Sequence, residues 1–187
     1  MVPVFNIENK LFIFKNVISK DFANLIIADS NKRIDNSIDI KESPSNIEIP
    51  DISYELECVV NKEILKYIKL IYKNKIDTTG GTLSGILVYK ENHYMGIHQD
   101  GGPFENPRIC TSVLYLNNKP ENALGGELIC YSGDYTNTKI IHTYSPEIGD
   151  LIIFDSFYNK GKNALLHSVN TIHNWERFIY RTYWKTN

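Results

Sequence analysis

No apolar run in this sequence approaches the length of a membrane span. The opening stretch "MVPVFNIENKLFIFKNVISK" breaks its hydrophobic residues with charges after about four positions, far short of the ~20 a spanning helix needs. Neither a signal peptide nor a membrane segment is expected there. Basic clusters are missing as well. Lys and Arg number 20 against 22 Asp and Glu, a formal net charge of −2, and they form no block. That argues against nucleic acid and against an anionic membrane surface as partners. Cysteine is scarce: Cys58, Cys110 and Cys130 are odd in number, far apart and in no C-x-x-C pair. A disulfide scaffold and a structural zinc site are both disfavoured. Reduced, mostly buried thiols in the cytosol are the expectation. No internal repeat or low-complexity linker is visible.

What remains is an ordinary globular composition. The 187 residues are 42% hydrophobic and 22% charged, enough for a single domain, 1–187, with a real core. Twelve Tyr and eight Phe favour β structure. The first third reads as helical. Ser19 is placed to cap a segment in which Phe22, Leu25 and Ile26 recur at helical spacing. The polar stretch "RIDNSIDIKESPSNIEIPDI" (33–52), with its two prolines, reads as a loop or irregular crossing. Residues 53–75 put Leu56, Val60, Ile64, Ile68 and Ile71 on one stripe of a helix, a core-facing surface.

From Thr82 onward the pattern changes. Eight short runs rich in Val, Ile, Tyr and Thr alternate with Gly, Pro and Asn punctuation, which describes a sandwich or barrel. Helices followed by strands give an α+β chain, mainly β, with the helices packed outside a sheet. Gly125-Gly126 reads as a turn entering a strand, and Pro146 with Gly149 as the turn before "DLIIF".

The chemistry begins at "GIHQDGG" (96–102). In an extended strand, residues i and i+2 share a face, so His98 and Asp100 project together. Alone, His-x-Asp is a weak signal, and a held cation needs a third ligand from elsewhere. His93 is out of phase, and His173 lies in the polar turn "TIHNWE"; both are expected to be exposed. His142, in "KIIHTYSP", has no charged partner nearby. His167 sits in the apolar segment "ALLHSVN", ten residues before Arg177. Two histidines and one carboxylate form the facial triad of non-haem Fe(II) enzymes, which leaves open positions that suit a bidentate 2-oxo acid and dioxygen. The far carboxylate of such an acid needs a cation, best met by a guanidinium fork, and Arg177 is a candidate.

Six segments then occur in a telling order: "VYKENHYMGIHQD" (88–100), "RICTSVLYLN" (108–117), "GGELICY" (125–131), "SPEIGDLIIF" (145–154), "LLHSVN" (165–170) and "RFIYRTYW" (177–184). Through them the chain resembles the 2-oxoglutarate- and Fe(II)-dependent dioxygenases, and among these the prolyl 4-hydroxylase-like group, over residues 82–184. The resemblance implies a double-stranded β-helix, a distorted jelly roll, as a catalytic β core at about 82–184, buttressed by a helical N-terminal part at about 1–80. It implies His98, Asp100 and His167 as iron ligands, Arg177 as the anchor for the 2-oxoglutarate C5 carboxylate, Tyr115 as a hydrogen-bonding partner of that carboxylate and Tyr89 as a further site-facing tyrosine. Fe(II), 2-oxoglutarate and O2 are the implied cofactor and cosubstrates, and succinate and CO2 the by-products. With a carboxylate ligand present at Asp100, hydroxylation of an aliphatic carbon is implied rather than halogenation. The substrate would be a prolyl or other amino-acid residue in a peptide or protein, or alternatively a free amino acid or small metabolite. A non-catalytic jelly-roll module is the rival reading; the absence of an H-x-H pair argues against a cupin, and neither a ligand nor the basic anchor is missing.

Two features depart from the group's pattern. Trp184 lies seven residues after Arg177, which in a regular strand sets them on opposite faces, so a bulge or shifted register is expected between them. Arg181 shares the face of Arg177 and stands as a second candidate anchor. The short loop "GGPFENPR" and the three residues after Trp184, with no C-terminal helix expected, weigh against a large protein substrate.

Overall fold

The computed structural model describes residues 3–7, 10–33, 38–42, 45–49, 52–73, 76, 83–100, 108–156 and 164–185. Twelve strands and two helices follow in the order β1 (Phe5–Ile7), β2 (Leu11–Phe14), α1 (Lys20–Asn31), β3 (Ile38–Glu42), β4 (Ser45–Ile49), α2 (Tyr54–Tyr72), β5 (Leu83–Tyr89), β6 (Met95–His98), β7 (Arg108–Tyr115), β8 (Leu128–Ser132), β9 (Lys139–Tyr144), β10 (Leu151–Asp155), β11 (Leu166–Val169) and β12 (Arg177–Lys185). They build an eight-stranded sheet, β1-β2-β10-β7-β12-β5-β4-β3, and a four-stranded sheet, β6-β11-β8-β9.

The strands β2, β10, β7, β12 and β5 of the large sheet are buried on both faces and divide their side chains between two cores. On one face Phe14, Ile86, Leu114, Ile153, Tyr180 and Trp184 pack with Ala23 and Ile26 of α1 and with Val60, Ile64 and Ile68 of α2. On the other, Ile13, Leu87, Val113, Ile152, Phe154 and Ile179 meet Leu128, Cys130 and Val169 of the small sheet. Strict alternation along β10 sends Leu151 and Ile153 to the helices and Ile152 and Phe154 to the sandwich interior. A strand covered on both sides must read as a continuous apolar run, and "LIIF" does. The result is a mainly β double-stranded β-helix, with α1 and α2 covering its large sheet.

Both helices have local causes. The Ser19 hydroxyl accepts from the Phe22 amide at 3.2 Å, capping α1. In α2, Val60, Ile64 and Ile68 are fully buried, and Leu56 and Ile71 pack partly against the same core. Leu25 does not follow its expected role: it is 55% exposed, while Ala23 and Ile26 carry the inner face of α1. Asn61 of α2 ties the helix to the sheet, accepting from the Tyr180 hydroxyl at 2.9 Å and the Thr182 hydroxyl at 3.2 Å while donating to Ser84 Oγ at 3.1 Å.

Two expectations are overturned. The first third is not purely helical, because β1 and β2 form an antiparallel pair and β2 joins β10. The polar stretch 33–52 holds a hairpin, β3 paired with β4 from Ile38↔Ile49 to Glu42↔Ser45, and β4 meets β5 at Glu48↔Val88. Ile38, Ile40, Ile47 and Ile49 alternate with polar residues at period two, which is the strand signature. Among the described residues, no helix is long and apolar enough to cross a membrane.

Candidate iron centre

The two sheets face each other across a cavity lined by His98, Asp100 and His167 from the small-sheet side and by Arg177, Arg181 and Tyr89 from the large one. Pairing across the small sheet brings the histidines together. In the antiparallel ladder between β6 and β11, His167 stands directly opposite His98, with ring centroids 4.2 Å apart. β6 ends at His98, and the bend at Asp100 brings its carboxylate to the same side as the two rings. Asp100 Oδ1 lies 3.3 Å from His98 Nε2 and 3.9 Å from His167 Nε2. One ligand atom from each of the three lies within 4.8 Å of the others.

The protons of these rings are set by the backbone. His98 Nδ1 lies 2.8 Å from the Gly96 carbonyl and His167 Nδ1 3.0 Å from the Leu165 carbonyl. A carbonyl can only accept, so both Nδ1 atoms carry hydrogen and both Nε2 lone pairs face Asp100. That is the tautomer a metal requires, held by a second partner on the far nitrogen. His167 packs beside Phe154, ring centroids 4.3 Å apart. Burial pulls its pKa down to about 4, only partly opposed by the Asp100 charge, so it stays neutral. At His98 burial also opposes the charged form, but the hydrogen bond and charge of Asp100 outweigh it and raise the pKa. Burial would push Asp100 up, yet the two imidazoles and Arg181 hold it well below the usual carboxylate range. A neutral His167 imidazole, a His98 imidazole whose Nε2 is turned to the same carboxylate, and an ionised Asp100 on one side of a cavity are a fitting donor set for a divalent transition metal with open positions.

Arg177 occupies the floor of the same cavity. It is 1% exposed, among the largest fully buried side chains. Its Nη1 donates to the Gly126 carbonyl at 2.5 Å, its Nε is buried without a partner, and no salt bridge joins it to a carboxylate among the described residues. Its guanidinium carbon lies 4.5 Å from the Tyr89 ring centre and 5.3 Å from that of Tyr115. Both tyrosines are buried, and burial raises the pKa of each. A buried guanidinium costs several kcal/mol unless an anion meets it, so this floor is built to receive one.

All six residues singled out from the sequence therefore line one cavity. The bulge expected between Arg177 and Trp184 is absent. β12 pairs regularly with β5 from Arg177↔Tyr89 to Tyr183↔Leu83, and its register with β7 shifts only between Trp184 and Lys185. Trp184 thus points to the helix side, donating from its Nε1 to Ser112 Oγ at 2.8 Å, while Arg177, Ile179 and Arg181 line the cavity. His142 is not part of the cluster. His93 is half-buried, its Nδ1 accepting from the Lys90 amide, while the His173 side chain is 41% exposed, as expected, and pairs through Nδ1 with Glu91. The loop expected at 101–107 lies outside the described residues. Sequence reasoning passed over Arg108, whose Nη1 donates to the Asp100 carbonyl at 2.9 Å, and Tyr183, against whose ring Arg108 packs at 3.7 Å and Arg181 at 4.6 Å. The even spacing of Tyr183 from Arg177 was its available signal.

The family model of the 2OG-Fe(II) oxygenase superfamily matches residues 84–185, more than half of the chain and every site residue described above. The protein belongs to this superfamily, and its cofactor and cosubstrates are accordingly Fe(II), 2-oxoglutarate and O2. Its fold is that of the prolyl 4-hydroxylases. A Pseudomonas putida prolyl-4-hydroxylase superposes with a TM-score of 0.74 at 17% identity, over 95% of this chain and 93% of that one. A Trichoplax adhaerens prolyl hydroxylase in complex with a hypoxia inducible factor oxygen degradation domain peptide fragment gives 0.69 at 16%, over 95% and 84%. A viral collagen prolyl hydroxylase from Paramecium Bursaria Chlorella virus-1, as its 2OG complex, gives 0.66 at 16%, over 95% and 96%. No curated protein matches the chain.

Proposed function

We propose that His98, Asp100 and His167 hold Fe(II), that Arg177 anchors the distal carboxylate of 2-oxoglutarate, and that the enzyme hydroxylates an aliphatic carbon of a prolyl or other amino-acid residue in a peptide. The observation that carries the reading is a buried cation without a counter-charge on the floor of the cavity that holds the His-Asp-His cluster. The peptide-bound Trichoplax relative supports a peptidyl substrate. The large sheet contributes to both cores, which supports reading residues 1–187 as one catalytic domain.

Fe(II), when bound, supplies the activation of dioxygen, coupled to conversion of 2-oxoglutarate into succinate and CO2; one oxygen atom enters succinate and the other the substrate hydroxyl. The chain's own residues position and shield. Both Nδ1–H groups stay committed to backbone carbonyls, which keeps the Nε2 lone pairs aimed and the rings from turning. Arg177 offers a planar fork to a carboxylate, and the Gly126 carbonyl fixes its direction. Tyr89 and Tyr115 flank it with faces that favour the cation and with hydroxyls that can donate to the same anion. Leu87, Val113 and Phe154 keep the cavity wall apolar, which excludes water around the reacting groups.

The test is succinate release from 2-oxoglutarate by purified protein with Fe(II), alongside a gain of one oxygen mass in a proline-containing peptide. Wild type should produce succinate and His98→Ala should not. Wild-type protein that neither binds Mn(II) with 2-oxoglutarate nor consumes 2-oxoglutarate would overturn the reading.

A further inference from the structure

We infer that Arg181 is a substrate-recognition residue and that the molecule hydroxylated carries a carboxylate which this guanidinium receives. The inference rests on the oxygenase reading above and names the substrate class for the same site.

Arg181 follows Arg177 by two repeats of the strand's alternation, on the same face of β12. Its cross-strand partners are Gly85 on β5 and Val113 on β7. Arg177 lies at the floor, whereas Arg181 is half-exposed and lines the same cavity as Asp100 and His98. It packs against the Tyr183 ring, and Arg108 packs against the same ring. Arg108 is committed to the Asp100 carbonyl. Arg181 forms no salt bridge among the described residues. A cation thus stands beside the metal ligands, oriented by an aromatic ring and not by a counter-ion.

Charge balance decides what it awaits. A guanidinium cannot shed its proton in a protein. Among the described residues, the charged groups lining the cavity are Asp100, Arg177 and Arg181. The metal's two positive charges cancel the two carboxylates of 2-oxoglutarate, and Asp100 cancels one arginine. One positive charge is then left facing the space where substrate must enter. Leaving a charge desolvated and unpaired when substrate closes the cavity is costly. A carboxylate on the substrate removes that cost, and a lysine side chain there would add to it. The carboxylate could be the α-carboxylate of a free amino acid or the side chain of a Glu or Asp beside the target residue; both present the same chemistry.

The experiment is calorimetry on protein loaded with Mn(II) and 2-oxoglutarate, where binding is read without turnover. The probes are matched pairs: L-proline against L-prolinamide, and acetylated, amidated tetrapeptides Glu-Pro-Gly-Gly and Gly-Pro-Glu-Gly against their Gln counterparts. At least one acid should bind about tenfold more tightly than its amide, the gain of one charge-assisted pair. Arg181→Gln should bring that ratio to within about twofold, and Arg181→Lys should restore most of it. A preference in the proline pair identifies a free amino acid; one in a peptide pair identifies an acidic peptide. Ratios within twofold for every pair in wild type, including no binding by any, overturn the inference, as does a ratio that survives Arg181→Gln. Failure of the oxygenase reading is separately visible, because wild type would then not take up Mn(II) and 2-oxoglutarate at all.

Discussion

At the scale of single residues, the site depends on groups held in one protonation state by neighbours that are not ligands. The Gly96 and Leu165 carbonyls hold hydrogen on Nδ1 of His98 and His167, which leaves the two Nε2 atoms to the metal. Replacing His98 with Ala removes a direct donor, so Mn(II) affinity measured by calorimetry should fall by more than the ~10–100-fold that loss of an outer partner costs. The two arginines should separate by ligand. Each bond to a charged carboxylate is worth roughly 1.5–3 kcal/mol, so losing the two bonds of the fork in Arg177→Ala should raise the apparent KM for 2-oxoglutarate by more than about a hundredfold. Arg181→Ala should raise it far less in the same steady-state assay. The reverse ranking would make Arg181 the anchor.

At the scale of elements, the turn into β8 sets where Arg177 points. Gly125 and Gly126 sit at φ of +75° and +79°, and the Gly126 carbonyl accepts from Arg177. A Cβ on Gly125 would fall 1.6 Å from the Thr171 carbonyl oxygen, whereas one on Gly126 would fall 2.5 Å from the Trp175 ring. Alanine at either position costs about 1–2 kcal/mol from the left-handed backbone alone. Gly125→Ala should be the more destabilising in urea, because backbone cannot move aside as a ring can. Gly126→Ala should also weaken 2-oxoglutarate binding. On the other face of the large sheet, Asn61→Ala takes the acceptor from Tyr180 and Thr182. It should cost about 1–3 kcal/mol in the same measurement.

These elements were unequally legible. The α2 stripe and the Ser19 cap are local, so spacing alone revealed them. The β3–β4 hairpin carried a period-two signal that its prolines and charges obscured, and "LFIF" was too short to tell strand from buried helix. Leu25 was misplaced because three residues at helical spacing, Phe22, Leu25 and Ile26, do not say which flank of a narrow apolar stripe meets the sheet.

At the scale of the whole molecule, the fold encloses charges that nothing in the described residues neutralises, and ligands should therefore add directly to its stability. A group that binds only the folded state contributes about 2.7 kcal/mol at a hundred times its Kd. Thermal unfolding should shift upward with Mn(II) plus 2-oxoglutarate, and a chelator should reverse it. Arg177→Ala should lose most of the 2-oxoglutarate increment and keep that of the metal. An increment unchanged in the variant would place the cosubstrate elsewhere.

The residue types, their order and their alternation were fixed along the chain. Arg177 and Arg181 share a side because a strand repeats every two residues, whereas Asp100 lies past the end of β6 and meets His98 through the bend that follows it. Only the tertiary structure decided that His167 stands opposite His98, that β12 runs without a bulge up to Trp184, and that Arg177 lies at the floor while Arg181 stands half-exposed in the same cavity as the His-Asp-His cluster. Those outcomes depend on the register between strands some 70 residues apart and on how far each strand reaches between two sheets. Local spacing carries no record of either.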